Sequence, residues 1–426
     1  MAVAQRIAAL AALAVLCSSQ PVEQPPTLTE VPASILFAES DPQQHLTLPC
    51  ATTAPSQNVK FEWQKDGKPF DWGGRSDVIR RDGEGTIVLL QPKSTDEGRY
   101  QCFASSDAGV ASTRMITVTK AYLPVPKIAV QRHRPVEGQP FKLDCPIPPS
   151  HPQPKIEWRL RFETDPNVSK EVSDGRITVS PDGTLWFSNV TSSDAYDNFK
   201  YTCLASSPAT AEPVALAEHY IEALEPNKGQ DYSEVVEQYT TENTTAKVGD
   251  VTMLYCIFGG SPLAHPDWFK DGRDTNNSPQ DRVTRYNRSK GKRLLIRETW
   301  TEDQGTYTCT VDNGLGKRKE HTMYLTVVSA PVYEKKPPTY MSVKEGQEAS
   351  IPCSVLGIPS PAVTWTYNAT PVAKREGLTI SQTVQGNRTV ADLHIGRAKK
   401  TDGGYYGCHA INENGDVYAE TLLHVA

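Results

Sequence analysis

Hydrophobic residues in this chain fall in short runs separated by polar, turn-forming stretches. Thr86-Ile-Val-Leu-Leu90, Thr184-Leu-Trp-Phe187, Arg293-Leu-Leu-Ile296 and Ala391-Asp-Leu-His-Ile395 have the length and apolar content of strands. Beyond the N-terminus no long stretch keeps the spacing of an amphipathic helix, so the pattern predicts an all-β protein. Each run precedes a Tyr-x-Cys, and each Tyr-x-Cys follows an earlier Cys and Trp. The quartets are Cys50/Trp63/Tyr100/Cys102, Cys145/Trp158/Tyr201/Cys203, Cys256/Trp268/Tyr307/Cys309 and Cys353/Trp365/Tyr406/Cys408. Cys-to-Trp gaps are 13, 13, 12 and 12 residues, and Cys-to-Cys gaps are 52, 58, 53 and 55.

That order has a physical meaning in a β-sandwich. A disulfide joins the two sheets, a tryptophan packs on it, and a tyrosine two residues before the second Cys bonds back to the corner preceding its strand. Four tandem immunoglobulin-like sandwiches of the I-set type are therefore expected. Asp96-Glu-Gly98, Asp303-Gln-Gly305 and Asp402-Gly-Gly404 lead into three of the corner tyrosines. The second repeat reads Asp197-Asn-Phe199, with Phe at the glycine position, which predicts a distorted corner there on an unchanged fold. A bridge closing about 55 residues stabilises its domain by roughly 4 kcal/mol.

Residues 1–19 carry Arg6 followed by an apolar run and then Cys17-Ser18-Ser19, the pattern of a secretory signal with cleavage before Gln20. Cys17 would leave with it, so eight of the nine cysteines remain, an even number in an oxidising, extracellular setting. No second run of 18 or more apolar residues follows, so neither a transmembrane anchor nor a lipid-anchor tail is expected. Sequons occur at Asn167, Asn189, Asn243, Asn276, Asn287, Asn368 and Asn387, and none lies in the first repeat. Pro279 weakens the one at Asn276.

Domain boundaries follow from the quartets and the turn-rich segments between them: residues 25–120, 121–223, 240–328 and 329–426, with a linker over 224–239. The first and third junctions are short, so each pair of neighbours continues almost from strand to strand. The middle junction is longer and polar, and 10–15 flexible residues span about 20–30 Å. That is enough for the chain to double back into a horseshoe, with a flexible hinge between two rods as the alternative.

Trp63-Gln-Lys-Asp-Gly-Lys68, Val248-Gly-Asp-Val-Thr-Met253, Trp268-Phe-Lys-Asp-Gly272, Gly404-Tyr-Tyr-Gly-Cys408 and Gly415-Asp-Val-Tyr-Ala-Glu-Thr-Leu422 add a further likeness. With the signal, four domains and a long central joint, the chain resembles the hemolins along essentially its whole length. Hemolins are secreted immunoglobulin-superfamily proteins of moth and butterfly immunity, related to neural cell-adhesion molecules of the neuroglian type. The resemblance implies a horseshoe that binds bacterial lipopolysaccharide, through lipid A, and lipoteichoic acid. It also implies association with haemocyte surfaces and with itself. Alternatives are a homophilic adhesion module, its soluble antagonist, or a growth-factor decoy.

The net charge is −6, which gives no general attraction to nucleic acid or membrane. Cations are nevertheless dense in domain three, where Arg282, Arg285, Arg288, Lys290, Lys292, Arg293 and Arg297 lie within sixteen residues. Lipid A presents phosphates, and charge-assisted donors suit them. Arg285, Arg288, Lys290, Lys292 and Arg293 are the candidate anion ligands, and Lys317-Arg-Lys319 could extend the patch. Against this, charge also blunts exposed strand edges, Arg282 is placed to pair with Asp303, and a glycan at Asn287 would cover part of the run. Lys65-Asp-Gly67 and Lys270-Asp-Gly272 resemble motifs linked with lipopolysaccharide, but Asp-Gly also suits a C–C′ turn, the preferred reading. Arg132-His-Arg134 is a smaller cationic spot. The nine histidines lack HExxH spacing and no nucleophile elbow or phosphate loop occurs, so neither catalysis nor a metal or other cofactor is expected.

Overall fold

The computed structural model describes residues 26–39, 45–53, 58–172, 174–229, 232–275, 282–286, 290–372 and 377–426. The predicted signal at 1–19 lies outside these residues, as do Arg288 and the sequons at Asn276 and Asn287. The described regular structure is all strand apart from short 3-10 turns.

Four two-sheet sandwiches follow one another. In the first, one sheet has the order Ser34–Ala38, Ile116–Ala121, Gly98–Ser106, Lys60–Lys65, Lys68–Pro69, with Gly109–Ser112 also paired to Gly98–Ser106. Leu46–Leu48, Ile87–Leu89 and Val78–Arg80 form the facing sheet. The other domains repeat this plan. In each, an early strand runs parallel to the last one, as in Ser34↔Thr117 and Tyr340↔Leu422.

One constellation recurs in every core. Disulfides join Cys50–Cys102, Cys145–Cys203, Cys256–Cys309 and Cys353–Cys408. Beside them the four tryptophans are buried. A buried indole N–H needs a partner, and each finds a backbone carbonyl: Trp63 to Gly85 at 2.7 Å, Trp158 to Gly183 at 2.8 Å, Trp268 to Gly291 at 2.7 Å and Trp365 to Ala391 at 2.8 Å. The corner tyrosines donate to Asp96 O, Asp194 O, Asp303 O and Asp402 O at 2.8–3.0 Å. Arg75, Arg176 and Arg282 reach the carboxylates of Asp96, Asp194 and Asp303.

The second corner departs from the expectation. Its aspartate is Asp194, seven residues before Tyr201, not Asp197. In the other domains the interval is four residues. Three extra residues therefore sit between turn and strand, which accounts for the longest Cys-to-Cys spacing. Gly98, Gly305 and Gly404, at φ near +150°, make the bend elsewhere, whereas here Asn198 takes a left-handed φ of 63°. Asn tolerates that region better than other side chains.

The linker also differs. Ser233–Thr240 is a strand paired with Thr252–Ser261, and Val235 is buried in the core of domain three. Its polar composition reflects solvent on the outward side, and on the other side Glu222 and Glu225 are still hydrogen-bonded to domain two, so the connection runs from Glu225 to Ser233.

Each pair of domains is joined stiffly. The strand Lys319–Lys335 pairs with Gly305–Val311 in domain three and continues into domain four, where it pairs with Ser354–Ile358. Between domains one and two, the last strand of domain one, Ile116–Ala121, runs directly into Tyr122, which exchanges two backbone hydrogen bonds with His151 of domain two at 2.8 and 3.0 Å. The two arms lie against each other, domain one on four and two on three, which makes the molecule a horseshoe.

Asp194→Ala should lower domain stability by about 1–3 kcal/mol, because it removes one ion-pair partner of the half-buried Arg176, which keeps Asp174 and the Asn189 carbonyl. Asp197 is exposed, and Asp197→Ala should stay within about 0.5 kcal/mol. Calorimetric melting of the two variants checks this assignment.

Candidate functional site

Two inter-arm contacts and one cationic segment hold the groups with unusual chemistry. Domain two meets domain three through main chains. Gly260 N donates to Ser188 O at 2.9 Å, and Asn189 Nδ2 donates to Gly260 O at 3.2 Å. Gln238 Nε2 donates to Phe187 O at 2.9 Å. A Cβ at Gly259 would lie 2.5 Å from Pro140 Cγ and 2.7 Å from Ser188 O, so only glycine permits this approach.

Domain one meets domain four through the strand Gly109–Ser112. Ala111, Tyr405 and Leu422 form a small apolar cluster with Leu28 against it. Ser112 Oγ donates to Glu420 Oε1 at 3.0 Å, and Tyr418 OH donates to the same oxygen at 2.6 Å. Tyr405 OH donates to Pro26 O at 2.7 Å. Arg114 bridges the arms to Asp416 at 3.2 Å, and His409 holds the other oxygen of that carboxylate at 3.2 Å. A cavity of about 390 Å³ opens beside these groups, lined by Leu28, Tyr333, Tyr405, Tyr418 and Glu420 among others.

The basic run of domain three does not form one exposed patch. Lys292 is the clearest correction: it is fully buried, and Nζ donates to Gly175 O of domain two at 2.9 Å. It belongs to the inter-arm contact and is closed to a ligand in solution. Arg285 is ion-paired with Asp267. Arg293 lies over the Tyr286 ring at 4.4 Å, and Arg282 is committed to Asp303. Lys290 is exposed, with its stem beside Gly175. Lys317, Arg318 and Lys319 are exposed where the chain enters the strand Lys319–Lys335. In domain two, Arg132 and Arg134 are both paired with Glu222.

The Lys-Asp-Gly segments are turns. Asp66 and Gly67 have φ of 51° and 74°, and Asp271 and Gly272 have 49° and 77°. Each Asp accepts a backbone N–H, from Arg99 at 2.9 Å and Thr306 at 3.0 Å. Lys65 and Lys270 donate to the Thr95 and Glu302 carbonyls, so their motif is explained by local structure. Asn368-Ala369 makes the same turn in domain four, with Asn368 accepting from Tyr405 N at 3.0 Å. Asn167, Asn243 and Asn387 are exposed, Asn368 is half-buried, and Asn189 is buried.

Sequence reasoning missed Ser112, Glu420, Gln238 and the Gly259-Gly260 pair. Only the Tyr418-x-Glu420-x-Leu422 alternation hinted that one sheet face of domain four is covered. Among the described residues, no group of three or more His, Cys, Asp or Glu side chains is placed to hold a metal. No described helix is long and apolar enough to cross a membrane.

Each contact contains an ionisable group whose pKa is moved toward neutrality. Burial lifts the Glu420 carboxyl from 4.5 to about 7, against the donors Tyr418 and Ser112. Burial lowers the Lys292 amine from 10.5 to about 7, with Asp174 opposing and Arg176 and Lys290 adding to the fall. Closure thus binds a proton at Glu420: its contribution is complete below pH 4.5 and lost as pH rises to about 7. At Lys292 closure releases a proton: the contribution is complete above pH 10.5 and lost as pH falls to about 7. Glu420→Gln should therefore favour the closed form near neutrality by up to about 3 kcal/mol. It should also flatten the dependence between pH 4.5 and 7 while leaving the alkaline limb in place. Sedimentation velocity across pH measures the compact fraction.

Comparison with known proteins places this architecture. The Immunoglobulin I-set domain family matches residues 235–327 and 331–425, and an Immunoglobulin domain family matches 25–106. The chain is 45% identical over 428 residues to hemolin of Manduca sexta, covering all of both. It is 44% identical to hemolin of Hyalophora cecropia, covering 98% of each. Neuroglian of Drosophila melanogaster is 34% identical over 98% of this chain and 32% of its own length. A crystal structure of "the insect immune protein hemolin", described as a domain arrangement "with implications for homophilic adhesion", superposes with a TM-score of 0.85 at 44% identity. The overlap covers 95% of this chain and 100% of that one. Full-length identity to hemolins of several moths, together with the shared four-domain arrangement, shows that this chain belongs to the hemolin family of insect immunoglobulin-type immune proteins.

Proposed function

We propose that the chain is a secreted recognition protein of the haemolymph. It binds bacterial surface lipids, lipopolysaccharide through lipid A and lipoteichoic acid, and engages haemocyte surfaces to modulate their adhesion and aggregation. Full-length kinship with immune and adhesion proteins of the immunoglobulin type carries this reading; such proteins are non-enzymatic. The anion-binding surface proposed is Lys290 with Lys317, Arg318 and Lys319, flanked by Arg285, Arg293 and, outside the described residues, Arg288. Lys290 and the hairpin cations are exposed and form no salt bridge among the described residues, so their charge is available to phosphates. Lipopolysaccharide titrated against the purified protein should bind at least about tenfold more weakly after dephosphorylation, because charge-assisted bonds are lost. Replacing Lys317, Arg318 and Lys319 together with Glu should have a similar effect. Equal binding by both lipids would sink the phosphate reading.

Homophilic association is a second reading, favoured by the largely polar character of both inter-arm contacts. A contact made within one chain can be made between two if the arms separate. Sedimentation equilibrium should then show self-association at micromolar concentration, and a strictly monomeric protein would count against it.

A further inference from the structure

Asn189-Val190-Thr191 is an acceptor sequence for an N-linked glycan, yet it lies inside the contact between the arms. Asn189 is 9% exposed. Its Nδ2, the atom a glycan would occupy, donates to Gly260 O at 3.2 Å, and its Oδ1 is sealed from solvent without a partner. The adjoining main chains are hydrogen-bonded at 2.9 Å through Gly260 N and Ser188 O. At Gly259 there is no space for even one added carbon. A sugar on Asn189 and the closed horseshoe therefore exclude each other.

The order of synthesis makes this exclusion a choice. Gly260 lies 71 residues after Asn189, which at 5–20 residues per second is roughly 4–14 s of translation. During that interval Asn189 has no cover from domain three. A lipid-diphosphate-linked oligosaccharide can react then: Nδ2 exchanges one hydrogen for a bond to the anomeric carbon. The bond from that carbon to the diphosphate breaks, the lipid diphosphate leaves, and the proton passes to the transferase's base. Once the arms close, the same nitrogen is out of reach.

We propose that Asn189 is a conditional glycosylation site whose occupancy sets the shape of the secreted molecule. Occupied chains stay open, and unoccupied chains close. An open chain leaves the Ser112 and Glu420 surfaces of domains one and four unmatched, and the same surfaces of a second open copy complement them, whereas the glycan blocks the Gly260 contact between chains as it does within one. This inference stands apart from the lipid-binding reading.

The test is expression of the full chain in insect secretory cells, separation by size, X-ray scattering of each fraction, and glycopeptide mass spectrometry. The Asn189 glycopeptide should be confined to an extended fraction whose maximum dimension is about twice that of the compact one, four domains end to end against two. Thr191→Val removes the acceptor sequence while keeping Asn189, and should shift all protein to the compact fraction. Asn189→Gln serves the same purpose should that variant fail to be secreted. Gly259→Leu, which blocks the approach without a glycan, supplies the extended reference. An Asn189 glycan in the compact fraction overturns the proposal. So does an unmodified Asn189 in every fraction, or an extended population unchanged by Thr191→Val.

Discussion

The horseshoe depends on two main chains touching without side chains between them. Gly260 N–H meets the Ser188 carbonyl, and the absent Cβ of Gly259 leaves room for Pro140. Everything else follows from stiffness on either side. Lys319–Lys335 runs through domains three and four as one strand, and the Tyr122–His151 bridge fastens domain one to two. The chain passes from one arm to the other after Glu225, whose backbone is still bonded to domain two, and before Ser233. Once domains two and three meet beside that joint, domains one and four are held at high effective concentration. Their own contact can then be small, with a three-residue apolar cluster and a handful of polar bonds.

The charges placed in these contacts fit reversible closure better than maximal stability. A buried carboxylate or amine without a counter-ion costs free energy, and well-packed apolar groups would replace either at a gain. Glu420 has hydroxyl donors in place of a cation, and Lys292 is hydrogen-bonded to a carbonyl, with Asp174 only partly offsetting its burial. Their windows meet near pH 7 from opposite sides. At neutral pH both groups therefore withhold their contribution, and the arms are held chiefly by backbone bonds and small apolar contacts. Such a joint separates more easily than the domains it connects, each of which carries a disulfide and a full core.

What the sequence revealed divides along the same line. The cores were legible because Cys, Trp and Tyr at fixed spacing state local requirements: a bridge, a packed indole, a bonded hydroxyl. Asp194 was misread as Asp197 because a three-residue insertion left another aspartate near the expected position. The strand Ser233–Thr240 was hidden by its acidic outer face, since only Val235 points fully into the core. Lys292 and Asn189 were beyond local reading altogether. Each looks like a surface residue in its own segment, and each is buried by a partner on the other arm, 117 and 71 residues away.

The same distinction reshapes the cationic segment. Of the basic residues that stand out by density, Arg282 serves the corner, Lys292 the joint, and Arg285 pairs with Asp267. Lys65 and Lys270 are bound to the carbonyls just ahead of their corners. Density of charge in sequence therefore overstates what a ligand meets, because an immunoglobulin sandwich spends arginines and lysines on its own turns. The cations that remain, at Lys290 and the Lys317–Lys319 hairpin, owe their freedom to turns that project them from the fold. Lys290 has a left-handed φ of 48° and leans its stem on Gly175 of the opposite arm. Opening the joint would free that stem and expose Lys292 beside it, so the cationic surface of domain three is coupled to whether the arms are closed.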